Sequence, residues 1–146
     1  MTHRILFVCL GNICRSPAAE GVFRALMPEA RCDSAGTSGW HDGDPPYGPM
    51  QAAARARGID LSDLRARRFV AQDFKRFDLI VVMDEDNRAA VEALRPAGNP
   101  APVRLFTSFA PAAGASHVPD PYYTRDFDGV LDLIELAAQG LKAELV

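Results

Sequence analysis

Four short segments of the chain have the apolar pattern of β-strands. Residues 5–8 and 79–83 are continuous apolar runs of strand length, which is typical of strands buried on both faces. Residues 31–35 and Val103–Leu105 are shorter or more mixed, and we predict one further strand in each.

Helices are predicted between and after these strands. Residues 127–145 carry apolar side chains at steps of three and four, which indicates a long amphipathic C-terminal helix, with Gly140 as a weak point inside it. Shorter helices are predicted over residues 17–27, 50–57, 70–76 and 85–94, and Gly58 suits the C-terminal cap of the second.

The order of these elements predicts an α/β fold. Strands that alternate with helices form a parallel sheet covered by helices. We expect a single domain over residues 1–146, built as an open four-stranded parallel sheet with helices on both faces, Rossmann-like or flavodoxin-like. Ligands of such sheets bind at the carboxyl ends of the strands.

The connection after the first strand is the most informative part of the chain. Within residues 8–17, Val-Cys-Leu-Gly-Asn-Ile-Cys-Arg-Ser-Pro, a cysteine (Cys9) and an arginine (Arg15) flank a Gly-Asn turn. Ser16 suits a helix N-cap and Pro17 the first helical position. Because loop N–H groups and a helix N-terminus converge there, the connection predicts a phosphate cradle with a nucleophile at its base.

The residue types in this loop suit thiolate and phosphate chemistry. A free thiol titrates near pH ~8.5, and N–H donors together with Arg15 would stabilise the Cys9 thiolate. The guanidinium can also hold two phosphate oxygens at once. Gly11 permits a close backbone approach, Asn12 tolerates a left-handed conformation and can brace the loop, and the Ser16 hydroxyl can donate to the sulfur.

A structural role for Cys9 is the alternative interpretation. A cysteine and an arginine at this spacing occur often by chance, and a cysteine after an apolar strand is commonly a small core residue. The order of strand, Gly-Asn turn, arginine, serine and proline within ten residues favours the catalytic interpretation.

Composition excludes several other classes of protein. The net charge of −3 gives no bulk attraction to nucleic acid or anionic membranes, and no apolar stretch approaches the roughly 20 residues that span a bilayer. The basic run of residues 65–68 is predicted to be a solvated face rather than a docking patch for acidic substrates. We expect a cytoplasmic monomer.

Cysteine and histidine usage gives no sign of a disulfide framework or a metal site. The three cysteines are an odd number, and no ligand spacing suggests zinc. The histidines, His3, His41 and His117, are scattered and predicted to lie on the surface. We therefore expect no metal and no organic cofactor.

The sequence of the cradle closely resembles the active-site loop of the low-molecular-weight protein tyrosine phosphatases. The resemblance continues in family order through residues 34–37, the Trp40 loop, Asp84 with Asn87, and Asp-Pro-Tyr-Tyr at residues 120–123. The match covers nearly the whole chain, and the loop together with the Asp-Pro-Tyr-Tyr motif makes it specific.

The resemblance implies a fold of the phosphotyrosine phosphatase I type and a role for each matching residue. Cys9 would form a phosphocysteine intermediate from phosphotyrosine or a small aryl phosphate. Arg15 would bind the phosphate, Asp120 would serve as general acid and then base, and Asp84 would support the loop. Inorganic phosphate would be product and inhibitor. The remaining loop residues would be Leu10, Gly11, Asn12, Ile13, Cys14 and Ser16.

The residues around Asp120 support this role independently. A phenolate leaves more readily when an acid protonates it, and Asp120 lies between two prolines in a stretch, residues 106–124, that is predicted to be irregular. Tyr122, Tyr123 and Trp40 can wall a slot for an aromatic ring, with Leu10 completing an apolar lining. An ordinary turn with surface tyrosines is the alternative, since Asp-Pro is common in turns.

Cys14 lies on the same loop as Cys9 and invites a redox hypothesis. A reactive thiolate is prone to oxidation to sulfenic acid, which a neighbouring thiol can trap as a reversible disulfide. The family resemblance implies this role for Cys14, and simple packing under the loop is the alternative. Cys32 is predicted to be a core residue.

Three other functions are compatible with a cradle of this kind. Arsenate reductases of this fold need two further cysteines, and this chain has only Cys32 outside the loop. Protein arginine phosphatases of this fold carry threonine at the position of Ile13, whose larger apolar side chain suits a flat aromatic ring. A non-catalytic phosphate-binding module would need neither Cys9 nor Asp120.

Overall fold

The computed structural model describes residues 3–146 and contains one sheet of four parallel strands. The strands are β1 Arg4–Cys9, β2 Arg31–Gly36, β3 Leu79–Val82 and β4 Val103–Leu105, in the spatial order β2-β1-β3-β4. The four predicted strands and the α/β fold class are confirmed.

Six α-helices surround the sheet. The boundaries of the five that were predicted differ from the predicted ones by less than one helical turn, and the remaining one, at residues 121–124, was not predicted. The six helices are α1 Arg15–Leu26, α2 Gly48–Arg55, α3 Asp73–Arg76, α4 Glu85–Glu92, α5 Pro121–Thr124 and α6 Phe127–Leu145. Gly58 follows α2 with a φ of 82°, and its N–H donates to the Arg55 carbonyl, so the predicted C-terminal cap is present. None of the helices within residues 3–146 is both long and apolar enough to cross a bilayer.

Strand β1 lies in the centre and sends side chains into two apolar layers. Ile5 and Phe7 belong to the layer shared with α1 and α6, whereas Leu6 and Val8 belong to the layer shared with α3 and α4. Because helices cover both faces, residues 5–9 of the strand are apolar on both sides of the sheet, which explains the continuous run in the sequence.

Helix α1 begins two residues earlier than predicted. Its N-cap position is Cys14, without a side-chain capping bond, and Ser16 lies inside the first turn. The Ser16 hydroxyl is engaged by the Cys9 sulfur and cannot cap the helix. Pro17 is tolerated as the third helical residue because N–H groups of the first turn have no partner within the helix.

The stretch predicted to be irregular is partly helical. It contains two short 3-10 turns, Phe106–Phe109 and Pro111–Ala113, and then α5. Pro121 sits at the start of α5, where its fixed φ is already helical, and Asp120 caps that helix.

Gly140 allows α6 to approach the first 3-10 turn closely, rather than weakening the helix. A Cβ atom at this position would lie 1.8 Å from the carbonyl oxygen of Phe109. Glycine is therefore required for α6 to lie against the first 3-10 turn.

Candidate active site

The Cys9 thiol lies at the carboxyl end of β1, at the centre of the following loop. The Cys9 side chain is buried, and its Sγ atom accepts from the Asn12 backbone N–H at 3.3 Å. The Ser16 Oγ atom is 3.0 Å from the same sulfur. The Asn12 N–H and the Ser16 hydroxyl thus both lie within hydrogen-bond distance of the sulfur.

Asn12 braces the loop from inside, as predicted. Its backbone is left-handed, with a φ of 56°. Its Nδ2 atom donates to Ser16 Oγ at 2.7 Å and to Ser34 Oγ at 2.9 Å, while its Oδ1 atom accepts from the Arg67 backbone N–H at 3.0 Å. Because the Arg67 backbone N–H can only donate, the Asn12 side-chain atom that faces it is the oxygen, and this fixes the orientation of the amide.

A buried carboxylate ends this chain of hydrogen bonds. Ser34 Oγ donates to Glu20 Oε1 at 2.7 Å, and Glu20 is only 2% exposed. Burial raises the pKa of Glu20 above its ordinary value, although the Ser34 hydrogen bond and the Arg24 charge oppose the shift. Sequence analysis missed this role. The available signal was the four-residue spacing of Ser16 and Glu20, which places both on one face of α1.

The chain of donors sets the direction of the Ser16 hydroxyl. Because Asn12 donates to Ser16 Oγ, the hydroxyl proton is free to point elsewhere. Its acceptors in reach are Cys9 Sγ at 3.0 Å and the Ala35 carbonyl at 3.5 Å. The nearer sulfur is the better partner, so the network directs a proton toward Cys9.

Arg15 is held by two carboxylates and a carbonyl. Its Nη1 atom donates to Asp84 Oδ2 at 2.8 Å and to the Val118 carbonyl at 3.0 Å, and its Nη2 atom lies 3.5 Å from Asp120 Oδ2. Burial alone would lower the pKa of Arg15, but the charges of Cys9, Asp84 and Asp120 raise it overall. The guanidinium is therefore charged and fixed in orientation.

Asp84 and Asp120 each cap a helix while contacting Arg15. Asp84 Oδ1 accepts from the Asn87 backbone N–H at 2.8 Å, at the start of α4. Asp120 Oδ1 accepts from the Tyr122 backbone N–H at 3.1 Å, at the start of α5. In both side chains Oδ1 accepts the capping hydrogen bond and Oδ2 faces Arg15.

Most of the site residues predicted from the sequence line one cleft of about 160 Å³, whereas Asn12, Ser16 and Asp84 do not line it. Trp40 and Tyr123 stand at its mouth, 76% and 70% exposed, and Tyr122 packs on Tyr47 with ring centroids 5.2 Å apart. The side chains and backbone that line it belong to Cys9, Leu10, Gly11, Ile13, Cys14, Arg15, Trp40, His41, Asp120, Tyr122 and Tyr123.

Comparison with known proteins agrees with this geometry. The family model described as low molecular weight phosphotyrosine protein phosphatase matches residues 4–146. This chain belongs to that family. It is therefore a protein-tyrosine phosphatase, as the resemblance of its loop implied.

Individual relatives are similar to this phosphatase over nearly the whole length of both chains. A low molecular weight protein-tyrosine-phosphatase of Streptomyces coelicolor is 44% identical over 154 residues, covering 98% of this chain and 93% of the relative. The crystal structure of YfkJ from Bacillus subtilis superposes with a TM-score of 0.94 at 36% identity, covering 99% of this chain and 95% of YfkJ. The structure of a drosophila arginine phosphatase, DARP, has a TM-score of 0.89 at 27% identity, covering 97% of each chain.

His41 is a residue of the phosphatase cleft that sequence analysis assigned to the plain surface. Its Nδ1 atom lies 3.2 Å from Asp44 Oδ2, and its ring lies beside Gly11 of the loop. The signal that pointed to the cleft was its position next to Trp40.

The other two thiols of the phosphatase are shielded from solvent to different degrees. Cys14 is 3% exposed, and burial raises the pKa of its thiol to about 12. Cys32 was predicted to be a core residue but is only half-buried, at the margin of the core, because β2 is an edge strand. Burial raises the pKa of the Cys32 thiol to about 12 as well. Within residues 3–146, no group of three or more His, Cys, Asp or Glu side chains is placed to hold a metal ion.

Proposed function

We propose that this phosphatase hydrolyses phosphotyrosine in protein substrates through a phosphocysteine intermediate on Cys9. The observation that carries the proposal is the position of Arg15, whose guanidinium contacts Asp120 and whose loop encloses Cys9, all on one cleft. A nucleophile, a phosphate ligand and a proton donor thus face the same space.

The first step transfers the phosphoryl group to the enzyme. The Cys9 thiolate attacks phosphorus, so that the S–P bond forms as the bond from phosphorus to the phenolic oxygen breaks. Asp120 gives its proton to the departing oxygen. Arg15 and the loop N–H groups hold the equatorial oxygens, on which charge accumulates in phosphoryl transfer.

The second step releases inorganic phosphate. The Asp120 carboxylate, left without its proton, takes one from a water molecule, which attacks phosphorus as the S–P bond breaks. The electron pair returns to Cys9 as a thiolate, which the Ser16 hydroxyl and the Asn12 N–H stabilise. Free phosphate fits the same donors, and we expect it to inhibit competitively.

The walls of the cleft favour an aryl phosphate. Trp40, Tyr122 and Tyr123 line the cleft with aromatic surface that can pack on a phenyl ring, and Ile13 adds apolar surface. A phosphoserine side chain has no ring to fill this slot, so its phosphate would reach the loop without that contribution to binding.

The deciding experiment is steady-state hydrolysis of matched peptides that carry phosphotyrosine, phosphoserine or phosphoarginine, with chelator and reductant present. We expect turnover of the phosphotyrosyl peptide alone. Turnover of none of the three would contradict the proposal and favour a phosphate-binding module.

Arginine phosphatase is the second candidate, because the drosophila enzyme shares the fold along nearly the whole chain. Ile13, 8% exposed and on the cleft wall, favours an aromatic ring over a guanidinium. Turnover of phosphoarginine in the same experiment would reverse this preference.

Arsenate reduction has less support than either. Cys32 is paired in register with Ile5, while Cys9 is paired with Gly36, four rows away. The two thiols are therefore separated by about 13 Å along the sheet, too far for Cys32 to receive oxidation from Cys9.

We further propose that Cys14 protects Cys9 during oxidation. A peroxide converts the Cys9 thiolate to sulfenic acid and leaves as water. The Cys14 sulfur then forms the S–S bond and displaces a second water, and a cellular thiol later reduces the disulfide. Because the pKa of the Cys14 thiol is about 12, we expect the closing step to accelerate with pH.

The matched variant for this proposal is Cys14→Ser. We expect it to lose activity to peroxide without recovery by a dithiol, whereas the parent enzyme recovers most of its activity. Equal recovery in both proteins would contradict the proposal. A need for reduced Cys9 also supports a cytoplasmic location, and we propose that the enzyme acts there as a monomer.

A further inference from the structure

Five cations line a second cleft at the end of the sheet opposite the active site. Arg4, Arg24, Arg31, Lys75 and Arg76 surround it, with Phe77 contributing aromatic surface. Arg4 and Arg31 begin the strands β1 and β2, whereas Cys9 ends β1. Arg4, at the cleft, and Cys9 are therefore separated by roughly 17 Å, the rise of the five steps between them along β1.

Two of these arginines form ion pairs with buried carboxylates. Arg24 pairs with Glu20, and Arg76 lies 3.7 Å from Asp73. The Glu20 and Asp73 side chains are 2% and 0% exposed, whereas those of Arg24 and Arg76 are 51% and 55% exposed. The negative charges thus face the interior and the positive charges face solvent, which preorganises the guanidinium groups for an external anion.

Arg31 and Lys75 add two positive charges that no carboxylate within residues 3–146 neutralises through an ion pair. Both are exposed, and neither forms an ion pair with any residue from 3 to 146. Arg4 pairs with Asp78 at the surface, and Asp33, the carboxylate of the cleft lining, is paired with Arg67 at 3.1 Å. The cleft is therefore positive although the chain as a whole is negative.

We propose that this cleft docks an acidic segment of the phosphoprotein substrate, at a distance from its phosphotyrosine. The inference rests on the proposed function. Several cations in a row match several carboxylates along a polypeptide, and an arginine can hold a carboxylate through two parallel N–H bonds. Since a single exposed ion pair contributes little, recognition needs many such pairs together, and a segment rich in Asp and Glu supplies them.

Docking of this kind raises the local concentration of phosphotyrosine at Cys9 without altering the chemistry there. We therefore expect it to lower KM and leave kcat unchanged. In the positive run at residues 65–68, Arg67 is committed to Asp33 and Asp73 and Arg65 to nearby carbonyls, so these two arginines are less available to a partner.

Two phosphotyrosyl peptides test the proposal. Both carry a flexible Gly/Ser linker of about 30 residues, which spans roughly 30 Å, and end in either six glutamates or six glutamines. At low salt we expect KM for the glutamate peptide to be at least about fivefold lower, with equal kcat, and the difference to vanish at high salt.

The variant Arg31→Glu with Lys75→Glu should abolish the fivefold preference, whereas Arg55→Glu with Arg65→Glu, which makes the same charge change elsewhere, should retain it. An equal loss in both variants would overturn the proposal, since bulk charge would then explain the preference. Full retention in both would also overturn it, since the cleft would then not be needed. So would equal competition from a single-stranded DNA of matched charge, which would show an unselective polyanion surface.

Two controls separate this proposal from the proposed function. A small aryl phosphate should be turned over equally by the parent and the Arg31→Glu, Lys75→Glu variant. If the parent enzyme turned over no aryl phosphate, the catalytic proposal alone would fail. Fluorescence anisotropy of the glutamate tail without phosphotyrosine would still measure docking, and binding unchanged in the variant would overturn it.

Discussion

Asp84 and Arg15 form a nearly buried ion pair, with Asp84 Oδ2 at 2.8 Å from Arg15 Nη1. The Arg15 side chain is 3% exposed and the Asp84 side chain 25% exposed. Because Asp84 follows β3 and Arg15 begins α1, the pair joins two elements that are far apart in the chain. The ion pair fixes the orientation of the Arg15 guanidinium, which we propose binds the phosphate.

We predict that Asp84→Asn reduces kcat/KM by about 10- to 100-fold, because a guanidinium held without its charged partner is less well placed for the phosphate. The free energy of unfolding should fall by about 1–3 kcal/mol. Asparagine caps helices as well as aspartate does, so α4 should persist. Steady-state kinetics and urea unfolding measure both effects.

The control is Asp86→Asn, which removes an equal charge from the exposed first turn of α4. It should leave kcat/KM within about twofold, since surface substitutions have small effects. If the two variants lost activity equally, Asp84 would not orient Arg15.

A variant of Asp120 should show a different kinetic effect, because the proposed mechanism has Asp120 protonate the leaving group. Asp120→Asn keeps the capping oxygen for α5 and removes the acid. We predict a loss of about 10²–10⁴-fold in kcat with a phenyl phosphate, and a much smaller loss with a nitrophenyl phosphate, whose phenolate needs no proton. The ratio of the two losses is the measurement. Equal losses would show that Asp120 has a structural role.

The raised pKa of Glu20 gives a pH dependence of stability with a defined sign. Since the folded protein binds this proton more tightly than the unfolded chain, the contribution of the neutral carboxyl is complete below about pH 4 and is lost as pH rises through the folded pKa. Glu20→Gln does not titrate. We predict that its stability relative to the parent improves as pH rises from 4 to 8, measured by urea unfolding.

Glu92 provides the opposite case as a control. A hydrogen bond from Arg95 lowers the pKa of Glu92 below its ordinary value. Its contribution is present above about pH 4 and is lost as pH falls through the folded pKa, so Glu92→Gln should lose stability relative to the parent as pH rises. Parallel trends in the two variants would contradict the assignment for Glu20.

Gly140 should be intolerant of even one added methyl group. Gly140→Ala places a Cβ against the Phe109 carbonyl, and α6 must shift to relieve the contact. We predict a loss of about 1–3 kcal/mol in the free energy of unfolding, despite the higher helix propensity of alanine. Gln139→Ala, at the exposed neighbouring position, should change stability by less than about 0.5 kcal/mol.

The parts of this protein that the sequence predicts well are those set by local pattern. Strand β1 is predicted well because helices cover both of its faces and residues 5–9 are all apolar. The Cys9 loop is predicted well because the cysteine, the turn and the arginine are close together in the chain. The residues of the candidate cleft share one end of the sheet, as the rule for parallel strands predicts.

The parts that sequence analysis missed depend on contacts between distant segments. Glu20 reaches the active site only through Ser34 on β2, and Gly140 is explained only by Phe109. The start of α1 was misplaced for the same reason, because the Cys9 sulfur competes for the Ser16 hydroxyl that a local capping rule assigns to the helix.

The most direct test of the central claim is to trap the covalent intermediate. The enzyme is mixed with excess nitrophenyl phosphate, quenched in acid during turnover and digested, and the peptides are mapped by mass spectrometry. We predict a phosphate adduct on Cys9, none in Cys9→Ser and none on Cys14. Turnover without an adduct on Cys9, or with phosphate on another residue, would contradict the phosphocysteine mechanism.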